Sequence, residues 1–276
     1  MIRVHALRTG SVYVRPSQII GRAPFRRLRP FLERGWSAEL PIHAFLIEHP
    51  EGLFLVDSGE SPRAMTRGYF PPWHPYFRLA VRFAITDDQA IDVQLRALGI
   101  APGDLRAVVL THLHTDHAGG LAHLPPLRTL VARIEWQIAQ GVAGQVRGYC
   151  LNHLPRGFRP AFIRFDAAPP APFPRAMALT TDGAVMIVPT PGHTSGHVSV
   201  LVTTPERRFL IAGDASYDAA ALATRAVDGV SPNPRSARKT LATIAAFGEV
   251  SAAAAQPMVY LPAHDPESAA RLSSPT

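Results

Sequence analysis

One cysteine, Cys150, stands among the 276 residues. A single thiol cannot close an internal disulfide, which suits a reducing compartment. Lysine is equally scarce: of 28 Lys and Arg residues only Lys239 is a lysine, so the net charge of +7 is carried almost wholly by arginine. Arginine, alanine and proline are abundant together, a bias expected of a GC-rich coding sequence. The arginines are dispersed, with one tight group at Arg22, Arg26, Arg27 and Arg29. A solvated basic surface is therefore preferred to a nucleic-acid interface. No apolar run approaches the ~20 residues needed to span a bilayer. The first eight residues lack an apolar stretch of signal-peptide length. The expectation is a cytoplasmic protein with no nucleic-acid and no membrane partner. Charged residues make up 18% and hydrophobic residues 47%, which argues for a sizeable core and against disorder.

Apolar patterning then organises the chain. Residues 2–14 read as a first strand with a turn at Thr9-Gly10, and residues 15–39 as an irregular connection. Residues 42–48 and 53–57 flank a Pro/Gly turn and read as a hairpin. It ends in Asp57-Ser58-Gly59, where Asp57 is equally well a turn residue or a partner of a ligand histidine. Residues 69–77 are aromatic and rich in proline, which argues against a regular helix. They read as a packed loop or as an apolar wall or lid over a pocket, with Phe70 and Trp73 as its candidate residues. His74 and His153 read as structural. Residues 87–98, 134–140 and 234–247 read as helices. Residues 106–110, 127–132, 185–188, 198–202, 208–212 and 258–261 read as strands. The proline-rich residues 167–174 are too few for a consequential linker. One domain over residues 1–276 is expected.

The chemistry gathers where strands end. The run 106–110 leads into Thr111-His112-Leu113-His114-Thr115-Asp116-His117-Ala118-Gly119-Gly120. Four metal-ligand types lie within six residues, too close to share one face of a helix or strand. They leave a rigid strand on a loop, where a site is held yet open to solvent. The design recurs after later strands: Pro191-Gly192-His193 with His197 nearby, Gly213-Asp214, and Pro262-Ala263-His264. Neutral imidazole and carboxylate suit zinc. Seven such ligands exceed one tetrahedral ion and suit two, joined by a shared carboxylate. Such pairs lie ~3.5–4 Å apart and generate hydroxide at neutral pH. Strand-to-ligand-loop units in both halves hint at a pseudo-duplicated α/β architecture.

The order His-x-His-x-Asp-His, Pro-Gly-His, Gly-Asp and a late His resembles the metallo-β-lactamase superfamily over nearly all of residues 45–265. The resemblance implies an α/β fold (α+β in some schemes), an αββα four-layer sandwich with metals at one sheet edge. It implies that His112, His114 and His193 hold one metal, that Asp116, His117 and His264 hold the other, and that Asp214 bridges them. An aspartate at 214 and a histidine at 117 depart from the secreted zinc β-lactamases. The chain's end soon after His264 counts against a glyoxalase II, and no RNA-binding arm is visible.

Tyr217, in Gly213-Asp214-Ala215-Ser216-Tyr217, resembles the tyrosine that contacts the substrate carbonyl in the N-acyl-homoserine lactonase branch. The endings His264-Asp265-Pro266-Glu267 and His117-Ala118-Gly119-Gly120 look like that branch too. Thr115 stands where one subgroup carries an aromatic residue, a departure that bears on acyl-chain preference and not on ring opening. The function implied is opening of a lactone ring, N-acyl-homoserine lactones foremost (quorum quenching), by a hydroxide bridging two divalent metals. Zinc is expected, with iron, cobalt or manganese as other occupants. Tyr217 would stabilise the oxyanion and Asp116 would shuttle the proton. Thr115, Phe70 and Trp73 join Tyr217 as candidate substrate contacts. The partner is a small lactone or ester, and a homodimer is left open. The rivals are a hydrolase of another lactone, ester or phosphoester, an iron-dependent oxygen or sulfur enzyme, and a non-catalytic binding protein on the same fold.

Overall fold

The computed structural model describes residues 1–21 and 25–273; Arg22, of the basic group, lies outside the described residues. The first of two sheets runs in the order β4 (Val81–Ala84), β1 (Arg3–Val14), β2 (Leu40–His49), β3 (Gly52–Val56), β5 (Leu105–Val109), β6 (Thr129–Val131), β7 (Ala161–Phe162). The second runs β12 (Met258–Pro262), β11 (Arg208–Gly213), β10 (Val198–Thr203), β9 (Val185–Pro189), β8 (Met177–Ala178).

Strand periodicity explains the layering. Successive side chains point to opposite faces, so a strand buried on both faces reads as an unbroken apolar run. Along β2 and β3, Phe45, Ile47, Phe54 and Val56 enter the core between the sheets, where they meet Ile187, Val200, Ile211 and Leu261. Their neighbours Leu46 and Leu55 face outward to Ile91 and Leu95 of the helix Ile91–Ala97. In the second sheet Val188, Leu201 and Leu210 likewise face Ile244 and Phe247 of the helix Pro234–Ala253. The result is the expected αββα sandwich. Among the described residues no helix is long and apolar enough to cross a membrane.

Strand direction sets where the loops emerge. β9 and β11 are both antiparallel to β10, and β12 is parallel to β11. The C-terminal ends of β9, β11 and β12 therefore share one edge, and each is followed by one of His193, Asp214 and His264. In the first sheet β3 and β5 are parallel, which sets the turn at Asp57 beside the loop that begins at Thr111.

Three local readings are corrected. Thr9-Gly10 is no turn: β1 continues through it as a bulge, its register shifting between Arg8 and Ser11, with Gly10 at φ 130°. Residues 69–77 do admit a helix. Pro75 opens the helix Pro75–Leu79 at its first position, where a missing N–H costs nothing, and the His74 side chain caps it by accepting from the Tyr76 N–H. The last long helix extends past residue 247 to Ala253.

Candidate metal centre and its cavity

The loop after β5 turns into a short helix, Thr115–Ala118, and its side chains meet those from the second sheet. The ligand atoms of His112, His114 and His193 lie within 4.8 Å of one another. Those of Asp116, His117 and His264 form a second such group, and those of His112, His117 and Asp214 a third. His114 Nδ1 stands 3.0 Å from both His112 Nε2 and His193 Nε2. Asp214 lies between the groups. Its Oδ2 is 3.4 Å from His193 Nε2, and its Oδ1 is 3.2 Å from His117 Nε2 and 3.4 Å from His264 Nε2. Asp116 approaches His264 Nε2 at 3.5 Å. All seven residues proposed from the sequence thus converge in space.

The donor set fits divalent cations. His117 Nε2 and Asp214 Oδ1 are fully buried, yet neither has a hydrogen-bond partner among the described residues. A buried polar atom left so costs roughly 1–3 kcal/mol, a cost that a cation between them would remove. Burial, and then the charges of neighbouring imidazoles, hold His112 and His114 well below the ordinary histidine pKa, so both offer lone pairs at neutral pH. Burial opposes ionisation of Asp214, but His264, His117 and His193 outweigh it and hold its carboxyl well below the usual range.

Residues outside the ligand set aim these side chains. His117 Nδ1 lies 2.8 Å from Asp57 Oδ2, which also accepts from the Thr111 hydroxyl at 2.9 Å. Asp57 is both things its sequence context allowed, a left-handed turn residue at φ 60° and a histidine partner. His264 Nδ1 donates to the Pro41 carbonyl at 2.8 Å, leaving Nε2 for the site. His193 Nδ1 lies 3.6 Å from Asp228 Oδ2, an ion-pair approach too long for a hydrogen bond. Glu135, buried on the helix Arg133–Ala139, joins the two ligand loops. It accepts from Leu113 N–H and from Gly196 N–H, each at 3.2 Å, and from the Tyr149 hydroxyl at 2.9 Å. A Cβ at Gly196 would stand 2.5 Å from the Glu135 nitrogen, so only glycine lets the loop approach this closely. His197 is not among the grouped ligands; it accepts the Asp214 N–H. Glu135 and Asp228 carry no local sequence signal, whereas His197 was visible only as a neighbour of His193.

A cavity of about 650 Å³ opens onto the ligand groups. Tyr217 and Thr115 line it; its apolar side includes Val12, Val14, Phe77 and Phe83. Phe70 and Trp73 do not. Phe70 stacks behind Phe77 at 4.2 Å between centroids, and Trp73 is 54% exposed. The aromatic wall exists but is built from the residues after the prolines. Tyr217 is buried, stacks on His264 at 5.5 Å between centroids and meets His193 edge-on at 6.5 Å. Burial, then Tyr76 and Asp214, raise its pKa well above the ordinary value, so the hydroxyl keeps its proton.

The sequence profile described as "Metallo-beta-lactamase superfamily" matches residues 38–248. The N-acyl homoserine lactonase AttM of Azorhizobium caulinodans is 30% identical over 227 residues, covering 78% of this chain and 77% of that one. A solved N-acyl homoserine lactone hydrolase, with the product N-hexanoyl-L-homoserine bound at its catalytic metal centre, superposes with a TM-score of 0.72 at 21% identity. That superposition covers 96% of this chain and 94% of that one. A dizinc quorum-quenching lactonase superposes with a TM-score of 0.63 at 14% identity, covering 96% and 88%.

Proposed function

The chain belongs to the metallo-β-lactamase superfamily, and on that premise we propose that it is a metal-dependent hydrolase that opens lactone rings, those of N-acyl-homoserine lactones foremost. One observation carries the choice among hydrolases: a buried, protonated tyrosine, Tyr217, shares the cavity with the metal-facing groups and packs against His264 and His193. The relatives named as N-acyl-homoserine lactonases support the same substrate class.

His112, His114 and His193 would hold one divalent cation and Asp116, His117 and His264 a second, with Asp214 shared. Zinc suits these nitrogen and oxygen donors, although iron, cobalt and manganese accept them too. Such a pair supplies Lewis-acid polarisation of a carbonyl and acidification of a water molecule. The protein does the rest. The Tyr217 hydroxyl donates to the substrate carbonyl oxygen as negative charge develops there. Asp116, on the cavity surface, carries a proton to the alkoxide that leaves as the ring opens. Val12, Val14, Phe77 and Phe83 receive the acyl chain, since apolar pockets with a few polar groups bind such ligands. One domain over residues 1–276 belongs to the same proposal, because side chains from Val12 to His264 line one cavity. A cytoplasmic setting is supported by the one cysteine, Cys150, which is free and buried.

The deciding experiment is a pH-stat comparison of metal-loaded protein on N-acyl-homoserine lactones, linear esters and phosphodiesters. The lactones should give the highest kcat/KM. A preference for phosphodiesters, or oxygen-dependent turnover on an iron-loaded sample, would overturn the reading.

A further inference from the structure

A second cavity, of about 600 Å³, adjoins the first and shares Arg27 and Leu28 with it. Its described walls come from segments distant in sequence, residues 20–21 and 25–28 on one side and residues 225–227, 234 and 238 on the other. Backbone bonds lock those segments together: Gly21 N–H donates to the Val227 carbonyl and Gly229 N–H to the Gln18 carbonyl, each at 2.8 Å. Arg26 ties them again by donating from Nη2 to the Ser231 carbonyl. A Cβ at Gly21 would lie 2.2 Å from Arg26 Cδ, so the glycine leaves room for that arginine stem.

The lining is unbalanced in charge. Arg26, Arg27, Arg225 and Arg238 contribute to it, and among the described residues no carboxylate lines it. Among the described residues the side chains of Arg27, Arg225 and Arg238 have no hydrogen bond or ion pair. Burial is the largest influence on Arg26 and lowers its pKa; the charges of Arg238 and Arg27 lower it further, against the pull of Asp228. Arg225 occupies the left-handed region at φ 53°, closing the helix Ala219–Thr224 where glycine is usual. Asp228 offsets part of the charge on Arg26, while Arg27, Arg225 and Arg238 have no ion pair among the described residues; such guanidinium groups are what a carboxylate or phosphate pairs with, two parallel bonds at a time. Ile20, Leu28 and Val227 add apolar surface beside them. The space is far larger than an inorganic anion needs.

We propose that this cavity binds an amphiphilic organic anion, a carboxylate or phosphate carried on an alkyl or acyl chain, with the head on the four arginines and the chain along Leu28. Arg27 and Leu28 border both cavities, whereas Arg26, Arg225 and Arg238 do not reach the first, so the anion site does not depend on the hydrolase reading.

Isothermal titration of the metal-loaded full chain with octanoate, octyl phosphate and 1-octanol tests it. One or both anions should bind saturably and octanol should not; the tighter anion identifies the head group. The double variant Arg225→Gln/Arg238→Gln should bind that anion about tenfold more weakly or worse, because charge-assisted bonds are lost. Both side chains are exposed, so its melting temperature should match the parent's. Equal binding by parent and variant would mean that the anion sits elsewhere, at the metal centre above all. That result, equal binding of octanol, or no binding of either anion would overturn the proposal.

Discussion

The Nε2 of His197 accepts the backbone N–H of Asp214 at 3.0 Å. This contact fixes the tautomer. Nδ1 must carry the proton, which it donates to Thr190 Oγ1 at 2.9 Å. The Thr190 hydroxyl then donates to Ser199 Oγ at 2.8 Å, and Ser199 to the Ala212 carbonyl at 3.2 Å. Burial, followed by the charge of His193, lowers the pKa of His197 to about 3, so the imidazole stays neutral. The chain of bonds aims the carboxylate proposed to be shared by two metals. His197→Ala should therefore weaken metal retention by about 10–100-fold, the usual cost of losing a partner of the ligands. His197→Gln, which keeps an acceptor, should retain more. Chelator competition measures both, and parent-like retention in the alanine variant would reduce His197 to packing.

Asp214 itself should matter to both metals. Elemental analysis of protein purified without chelator should find about two ions per chain, by the logic of paired sites. Asp214→Ala should lose most of the activity and lower the metal content. A content that stays at one under metal supplementation, with full activity, would contradict the paired centre.

Asp57→Asn separates charge from backbone. Asparagine tolerates the left-handed conformation that Asp57 adopts at φ 60°, so the turn should survive. The variant loses the carboxylate that faces His117 Nδ1 at 2.8 Å. One metal should then bind about 10–100-fold more weakly while the other is little changed. A uniform loss of both, or of neither, would show that Asp57 serves the fold instead.

Tyr217→Phe removes a hydroxyl and keeps the ring that stacks on His264. Metal content should be unchanged while lactone turnover falls. Loss of one oxyanion donor costs on the order of 10²–10³ in rate, and a smaller loss is expected because a metal would carry part of the charge. Any phosphodiester cleavage should change much less. Undiminished lactone turnover with metals bound would leave the tyrosine as packing and the substrate class open.

Glu60 is fully buried, and burial pushes its pKa up to about 8 from an ordinary 4.5. Among the described residues its Oε2 has no hydrogen-bond partner, while Oε1 accepts from Ser61 N–H at 2.8 Å. Between those pH values the unfolded chain is ionised and the folded one is not. Its contribution is thus fully present below pH 4.5 and is lost as pH rises through about 8. Glu60→Gln is neutral at every pH. Its melting temperature, relative to the parent at equal metal loading, should rise steadily from pH 5 to pH 8.5. Parallel melting curves across that range would show that Glu60 titrates normally.

Much of this was written locally. The ligand loops were legible because each follows an apolar strand, and strand patterning and ligand chemistry are both properties of a few adjacent residues. The seven side chains that the structure groups as candidate ligands could be named from that alone. The tertiary structure decided how they are held and what surrounds them. Asp57 meets a histidine 60 positions away, Glu135 reaches a glycine 61 positions away, and His193 faces Asp228 although β10 and β11 separate them in the chain. Nothing in those short stretches encodes such meetings, since they arise from the parallel and antiparallel order of strands in two sheets. The wall of the cavity is a similar case. Composition marked residues 69–77 as aromatic, but the helix opened by Pro75 turns Tyr76 and Phe77 inward and leaves Trp73 in solvent. Side-chain direction depends on backbone conformation, and only packing selected it.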